Sequence, residues 1–138
     1  MVWEFIVPGV PLSVNASGNN KKRWIETVRS CATKDLPQDE FPIHSDVAVS
    51  VIFFHVDASP DVDNILKRIL DGMHPELLGD DGQVQDVSAS RRDISGNLIL
   101  RNPSEIILPH IVKGEPFVYV SVSEAMNQED LPWIGIAR

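Results

Sequence analysis

The stretch DVAVSVIFFHV at residues 46–56, followed by PDVDNILKRILDGM at residues 60–73, decides the fold of this chain. Apolar and β-branched residues crowd the first segment, which is typical of a strand, and we expect it to be central in a sheet. In the second segment six apolar residues recur at helical spacing, which predicts a helix with one apolar stripe. Pro60 suits a first helical turn, and Pro75 prevents continuation. A strand followed by such a helix predicts helices packed on a sheet.

Further elements are predicted on both sides of this pair. Upstream, alternation predicts a strand over 2–7 and polar composition predicts a loop over 11–20. Apolar residues at helical spacing then predict a helix over 20–34 with an apolar stripe. Downstream they predict a turn at 79–82 and strands over 83–91, 105–111 and 116–122, while the tail at 123–138 receives no assignment. The order strand, helix, strand, helix and two or three strands predicts an α/β or α+β fold with a mixed sheet and two main helices.

Length and composition narrow the class of protein. A chain of 138 residues predicts a single domain over 1–138. Cys31 is the only cysteine, so no intrachain disulfide forms, and no apolar run reaches the length of a membrane helix. We therefore expect a soluble, cytoplasmic protein without a membrane partner. The net charge of -8 argues against a protein that coats nucleic acid through bulk charge.

The charges are distributed unevenly along the chain. Residues 1–34 carry five basic and two acidic side chains, whereas residues 57–86 carry eight acidic and two basic ones. Local charge, not the total, decides where phosphates bind. The concentration of acidic side chains over residues 57–86 therefore calls for a chemical explanation.

Four aspartates flank the predicted second helix. Asp61 and Asp63 precede its apolar stripe, and Asp80 and Asp81 follow in a glycine-rich turn. If the two loops converge, a hard divalent cation such as Mg²⁺ or Mn²⁺ relieves the repulsion between their carboxylates. Aspartates are also common at helix starts and in turns for purely structural reasons, so that interpretation stays open. Lys67 fits either an exposed ion-pair stripe or a group that stabilises charge on a phosphate.

These residues together resemble a known family. The RusA-like Holliday junction resolvases are the family that this pattern resembles: Asp61-Val62-Asp63-Asn64, then Lys67, then Asp71, then Gly79-Asp80-Asp81-Gly82-Gln83-Val84. The proline-rich stretch at 11–15 and the basic stretch at 21–23 resemble the same family, so the likeness covers residues 2 to 92. It implies a RusA-like fold and a homodimeric, Mg²⁺-dependent endodeoxyribonuclease of bacteria or prophages. Such an enzyme makes paired nicks in four-way DNA junctions during recombination and repair.

The resemblance also assigns roles to residues. It implies Asp61, Asp63 and Asp81 as metal ligands, with Asp80 as a possible substitute, and Lys67 as the catalytic lysine. Asn64 is expected to hold the loop or a water molecule. The side chains expected to contact branched DNA, from both copies of a dimer, are Asn15, Lys21, Lys22, Arg23, Arg29, Arg68, Arg91 and Arg92.

Two other functions remain open at this point. The first is a non-enzymatic dimeric module that keeps this fold and binds a protein partner through its acidic face. The second is a metal-dependent phosphohydrolase acting on small phosphate esters. Cleavage of branched DNA separates both from the nuclease.

Overall fold

The computed structural model describes residues 2–11, 17–57 and 65–131. Strands and helices alternate along this described chain: β1 Trp3–Pro8, α1 Gly18–Thr33, β2 Val47–His55, α2 Leu66–Gly72, β3 Val84–Asp93, α3 Leu108–Lys113 and β4 Phe117–Glu124. Two short 3-10 turns, Asp81–Gln83 and Gln128–Asp130, precede β3 and follow β4. Helix α2 lies inside the predicted range of 60–73, of which residues 60–64 lie outside the described residues.

The strands form one four-stranded sheet in the order β1-β4-β2-β3. Strand β4 is antiparallel to both of its neighbours, whereas β2 and β3 are parallel. The mixed sheet, the α+β class and the interior position of β2 are therefore confirmed. The strands predicted over 2–7, 46–56, 83–91 and 116–122 and the helix over 20–34 are present with their ends shifted by one or two residues.

The register defines two ends of this sheet. At one end Pro8 lies opposite Phe117, and His55 lies opposite Asp93; we call this the His55 end. At the other end Val47 lies opposite both Glu124 and Val84, and we call this the Val47 end. The eight-residue rise from Val47 to His55 separates the two ends by about 26 Å.

One face of the sheet packs against α1 and α2 and forms the main core. Alternate residues of β2 point into it, and Val49, Val51 and Phe53 are almost fully buried. Helix α1 contributes Trp24, Val28 and Ala32, and the segment of α2 contributes Ile65, Ile69 and Met73. The apolar stripes predicted for both helices are the surfaces that the sheet buries.

Helix α1 runs from the His55 end towards the Val47 end. The indole nitrogen of Trp3, at the start of β1, donates a 2.8 Å hydrogen bond to the carbonyl of Ala32 in the last turn of α1. A helix of sixteen residues rises about 24 Å, so the first turn of α1 lies towards the His55 end. Its N-cap is Ser17, whose hydroxyl accepts a hydrogen bond from the backbone of Asn20.

The opposite face of the sheet is covered near the His55 end by the segment before β4. Phe54, Ile107, Phe117 and Tyr119 form a second buried cluster there. The rings of Phe54 and Phe117 stack with centroids 4.7 Å apart. The sheet is therefore covered by buried apolar side chains on both of its faces, by the main core on one and by the second cluster on the other.

The strand predicted over 105–111 is wrong. Residues 108–113 form helix α3, which Gly114 ends in the left-handed conformation at φ 70°. Pro109 lacks the backbone N–H that a sheet ladder needs but fits the first helical turn. Ile107 and Ile111 then pack as neighbouring residues on a helix against the second cluster, instead of alternating across a sheet.

No helix among the described residues has both the length and the apolar character that crossing a bilayer requires.

Candidate active site

The predicted metal ligands are only partly within the described residues. Asp61, Asp63 and Asn64 lie outside them, as does Asn15. The backbone of Asp81 is described, and it opens the 3-10 turn Asp81–Gln83 immediately before β3. These ligand assignments therefore stay predictions, and the structure defines the elements that flank them.

Strand β2 and helix α2 flank the aspartate motif. His55 ends β2 with 9% of its surface exposed, and Asp57 follows as an exposed residue. Ile65 resumes the described chain, buried to 1%, one residue before α2 begins. The chain around the motif is thus anchored at both ends by buried side chains.

Lys67 lies in the first turn of α2 with its side chain exposed. Ile65 and Ile69, two residues to either side, are buried in the core, and a helix turns by about 200° over two residues. Lys67 therefore projects from the face opposite the apolar stripe. Its ammonium is available to a phosphate that approaches the start of α2.

Basic side chains gather at the same end of the sheet. Arg91 and Arg92 on β3 pair with Phe53 and Phe54 on β2. These are the last two residue pairs before His55 and Asp93 at the His55 end. The first half of α1, which lies towards that end, carries Lys21, Lys22 and Arg23. The structure therefore brings five of the predicted DNA-contacting residues to the end of the sheet where β2 leads into the aspartate motif.

Arg29 has a different environment. Its guanidinium donates to the carbonyl oxygen of His74 at 3.3 Å from Nε and 3.2 Å from Nη2, and it lies 3.5 Å from the carboxylate of Glu76. These contacts tie α1 to the segment after α2. A structural role accounts for Arg29, and its predicted contact with DNA stays a prediction.

Asp93 closes the β3 side of the His55 end. Its carboxylate accepts hydrogen bonds from the hydroxyl of Ser95 at 2.7 Å and from the backbone N–H of Ser95 at 2.9 Å. These bonds, with a smaller contribution from the charge of His55, hold the pKa of Asp93 below its ordinary value. Asp93 therefore remains an anion and adds a negative charge beside the arginines.

The second aspartate pair lies in a tight turn at the Val47 end. Asp80 uses one carboxylate oxygen to accept a 3.1 Å hydrogen bond from the N–H of Gly82. The side-chain oxygen of Gln83 accepts a 2.7 Å bond from the N–H of Asp80. Asp80 therefore stabilises the turn through its side chain and its backbone N–H. Asp81 lies in sequence between Asp80 and Gly82, the two residues joined by the 3.1 Å bond.

The register places His55, which precedes the first aspartate motif in sequence, and the Asp81 turn at opposite ends of the sheet. The motif at 61–64 follows the His55 end in sequence, and Asp81 precedes Val84 at the Val47 end, about 26 Å away along β2. Helix rise from Ile65 to Met73 covers about 12 Å of that distance. A shared metal therefore requires either that the chain before Ile65 approaches the Asp81 turn or that carboxylates of two chains meet.

The donor set fits a hard cation in its chemistry. Carboxylate oxygens without a thiolate or imidazole partner are the ligands that Mg²⁺ and Mn²⁺ prefer. Within residues 2–11, 17–57 and 65–131, no three His, Cys, Asp or Glu side chains converge as metal ligands would. The proposed set depends on Asp61 and Asp63, which are outside those ranges.

Gln83 is the residue of this site to which the sequence assigned no role. It is 6% exposed, and its amide links the aspartate turn to the chain before β2. The sequence offered one signal for a role of Gln83, which is its position in the Asp80-Asp81-Gly82-Gln83 motif. A glutamine is ordinary in a turn, however, and only the fold shows that this one is buried.

Comparison with known proteins identifies the family. Residues 16–122 match the family Endodeoxyribonuclease RusA, and the matched segment includes both aspartate motifs, Lys67 and the basic residues of α1 and β3. No curated protein matches the chain. The matched segment covers more than half of the sequence and runs from the start of α1 into β4. The chain therefore belongs to the RusA family of endodeoxyribonucleases.

Proposed function

We propose that this protein is a homodimeric, Mg²⁺-dependent endonuclease that resolves Holliday junctions or related branched DNA. Membership of the RusA family carries this proposal, because the match spans the aspartate motifs and Lys67 together. The basic residues at the His55 end support it. They gather positive charge at the end of the sheet where β2 leads into the aspartate motif, although the chain as a whole has a net charge of -8.

Each proposed residue has a chemical task. Asp61, Asp63 and Asp81 supply carboxylate oxygens for the cation, with Asp80 as a neighbour that can support them. When bound, Mg²⁺ polarises a phosphodiester and lowers the pKa of a water molecule. Lys67 places its ammonium beside the phosphate, where it stabilises the negative charge that develops during displacement. Water would attack phosphorus in line with the P–O3′ bond and break that bond, so that its oxygen ends on the 5′-phosphate and O3′ takes up a proton. The resulting 5′-phosphate and 3′-hydroxyl can be rejoined by a ligase.

Phosphate contacts from outside the carboxylate set hold the substrate. Lys21, Lys22 and Arg23 approach the His55 end from α1, and Arg91 and Arg92 approach it from β3. Arg68 on α2 is partly exposed and is a further proposed phosphate contact. Asn15 is the last member of the proposed DNA-contacting set. Two copies of this surface in a homodimer provide one basic region for each of two symmetric cuts.

Cleavage of a labelled four-way junction in Mg²⁺ over a series of salt concentrations tests the proposal. The wild type should cut branched DNA in preference to a linear duplex. Asp63→Asn and Lys67→Ala should each reduce the cleavage rate by about 100-fold or more, because each removes a group that acts on the reacting phosphate. Asp39→Asn and Lys34→Ala alter exposed residues of the same types beyond the C-terminal end of α1, away from the His55 end, and should cleave like the wild type.

The same experiment separates the competing functions. A wild type that folds and dimerises but cuts no branched DNA at any salt concentration would be a binding module with a RusA fold. Hydrolysis of nucleotides in the absence of DNA, without junction cleavage, would identify a small-ester phosphohydrolase.

A further inference from the structure

The Asp81 turn is fastened to the rest of the protein through one buried amide. Gln83 is one of two buried polar or charged side chains among the described residues, the other being His55. Its Nε2 donates to the carbonyl oxygens of Ile43 at 2.7 Å and Ser45 at 2.8 Å. Both N–H groups of the amide are therefore used on the chain that leads into β2.

The oxygen of the same amide holds the turn itself. Oε1 of Gln83 accepts from the N–H of Asp80 at 2.7 Å, and the backbone N–H of Gln83 donates to the carbonyl of Asp80 at 3.2 Å. Asp80 in turn accepts from Gly82. Asp81 is the residue enclosed by these bonds, since both of its neighbours are fixed by them.

The surroundings leave little freedom for this arrangement. Ile43 pairs with Leu78 in a parallel bridge, and its N–H donates to the carbonyl of Leu77 at 2.9 Å. A Cβ added at Gly79 would lie 3.1 Å from the ring of His44 and 3.6 Å from Oε1 of Gln83. The amide therefore links the approach to β2 with the turn before β3, and the backbone of Gly79 passes close beside it.

We propose that Gln83 is a positioning residue for the metal site, which sets the place of Asp81 relative to β2. This inference depends on the proposed function, because it assumes that Asp81 is a metal ligand. A buried group that orients a ligand typically changes metal affinity by 10- to 100-fold when it is removed. An ordinary buried hydrogen bond instead changes stability and leaves metal affinity unaltered.

The side chain offers a choice of substitutions that keep its length. Gln83→Met keeps the volume and removes every hydrogen bond of the amide. Gln83→Glu keeps the shape and presents an oxygen to the carbonyls of Ile43 and Ser45 in place of their donor. Tyr119→Phe is the control, because it removes a hydrogen bond on the opposite face of the sheet, outside the site.

Binding of Mn²⁺ without DNA, followed by electron paramagnetic resonance, measures the metal site apart from nuclease activity. We expect the dissociation constant for Mn²⁺ to rise at least 10-fold in Gln83→Met and Gln83→Glu and to stay unchanged in Tyr119→Phe. The Mg²⁺ concentration for half-maximal junction cleavage should rise in parallel, with a smaller change in rate at saturating Mg²⁺. Thermal unfolding of all three variants corrects for lost stability.

Several outcomes would overturn the inference. Gln83 variants that bind Mn²⁺ like the wild type, at whatever stability, would show that the amide only supports the fold. Failure of both variants to fold at the assay temperature would assign Gln83 to folding and not to positioning. A wild type that binds Mn²⁺ and loses affinity in the Gln83 variants but cleaves no DNA would contradict the proposed function alone, whereas a wild type without Mn²⁺ binding would contradict both.

Discussion

The phenol of Tyr119 on β4 donates a 2.7 Å hydrogen bond to the carboxylate of Glu4 on the neighbouring strand β1. The hydroxyl of Ser104, from the segment that covers this face, donates to the other oxygen of the same carboxylate. One partly buried anion therefore joins both strands to the covering segment. A hydrogen bond to a charged group contributes about 1.5–3 kcal/mol to stability, so this junction should matter to the fold.

Tyr119→Phe should lower the free energy of unfolding at neutral pH by about 1.5–3 kcal/mol, because Glu4 loses a donor that its burial requires. Urea denaturation followed by circular dichroism measures this change. Ser104→Ala, which removes the second donor to Glu4, is the matched variant and should destabilise in the same direction.

The stability of the wild type should also fall at alkaline pH. Burial, together with the hydrogen bond to Glu4 and the charge of that carboxylate, raises the pKa of Tyr119 from 10.0 to about 12. The folded state thus favours the protonated phenol more than the unfolded state does. The resulting stabilisation is complete below pH 10 and is lost as the pH rises towards 12. Denaturation at pH 9, 10 and 11 should therefore show a steeper fall in the wild type than in Tyr119→Phe.

Gly72→Ala should destabilise the contact between α1 and α2. An added Cβ would lie 2.5 Å from Cγ1 and 2.7 Å from Cβ of Val28, so the helices would have to separate. Overpacking of this kind costs about 1–3 kcal/mol. Gly18→Ala is the control, since nothing lies within 4 Å of its added Cβ. Equal thermal midpoints for the two variants would contradict the close packing of Gly72 against Val28.

Arg92→Ala should weaken binding to branched DNA through the loss of a phosphate contact. We expect the salt dependence to weaken as well. In a plot of the logarithm of the binding constant against the logarithm of the salt concentration, the slope should become shallower by about 1. Fluorescence anisotropy should compare the Asp63→Asn variant with the double variant Asp63→Asn/Arg92→Ala, because neither protein is expected to cleave the DNA during the measurement. Lys34→Ala removes an exposed cation at the C-terminal end of α1, away from the His55 end, and should leave the slope unchanged.

Removal of divalent ions should stop cleavage and leave the fold intact, because the described cores are apolar and contain no metal ligands. EDTA should abolish junction cutting, and Mg²⁺ or Mn²⁺ should restore it. Mg²⁺ at a hundred times its dissociation constant should stabilise the wild type by about 2.7 kcal/mol through binding to the folded state. Asp81→Asn should lose most of that increase, which calorimetry in the absence of DNA measures.

Short-range patterns were enough to predict most of the elements. Strand β2 and helix α2 carry apolar residues at strand and helix spacing, and the burial of Phe53, Ile65 and Ile69 reflects that spacing directly. The same reasoning gave a wrong prediction for the segment before β4, where a strand was predicted over 105–111 and helix α3 forms instead. Several isoleucines with one proline suit a short strand or a short helix, and packing against Phe54 and Phe117 decides between them.

Long-range relationships could not be predicted in the same way. The acidic motifs and Lys67 are legible in the sequence, but the parallel pairing of Val47 with Val84 is not, and this pairing determines where the Asp81 turn lies. The buried state of Gln83 depends on the same pairing, since its partners Ile43 and Ser45 lie on the approach to β2.

The central position of β4 has a consequence for how the protein is made. Strand β1 leaves the ribosome first, but its neighbour in the sheet is β4, at Phe117–Glu124. Until that late segment emerges, the N-terminal strand has no ladder to join, and β2 lacks one of its two neighbours. Contacts between such distant parts of a chain form slowly, and unpaired strands promote aggregation meanwhile. Nascent chains stalled before residue 117 should therefore depend on chaperones, because neither β1 nor the open side of β2 can be paired until β4 has been made.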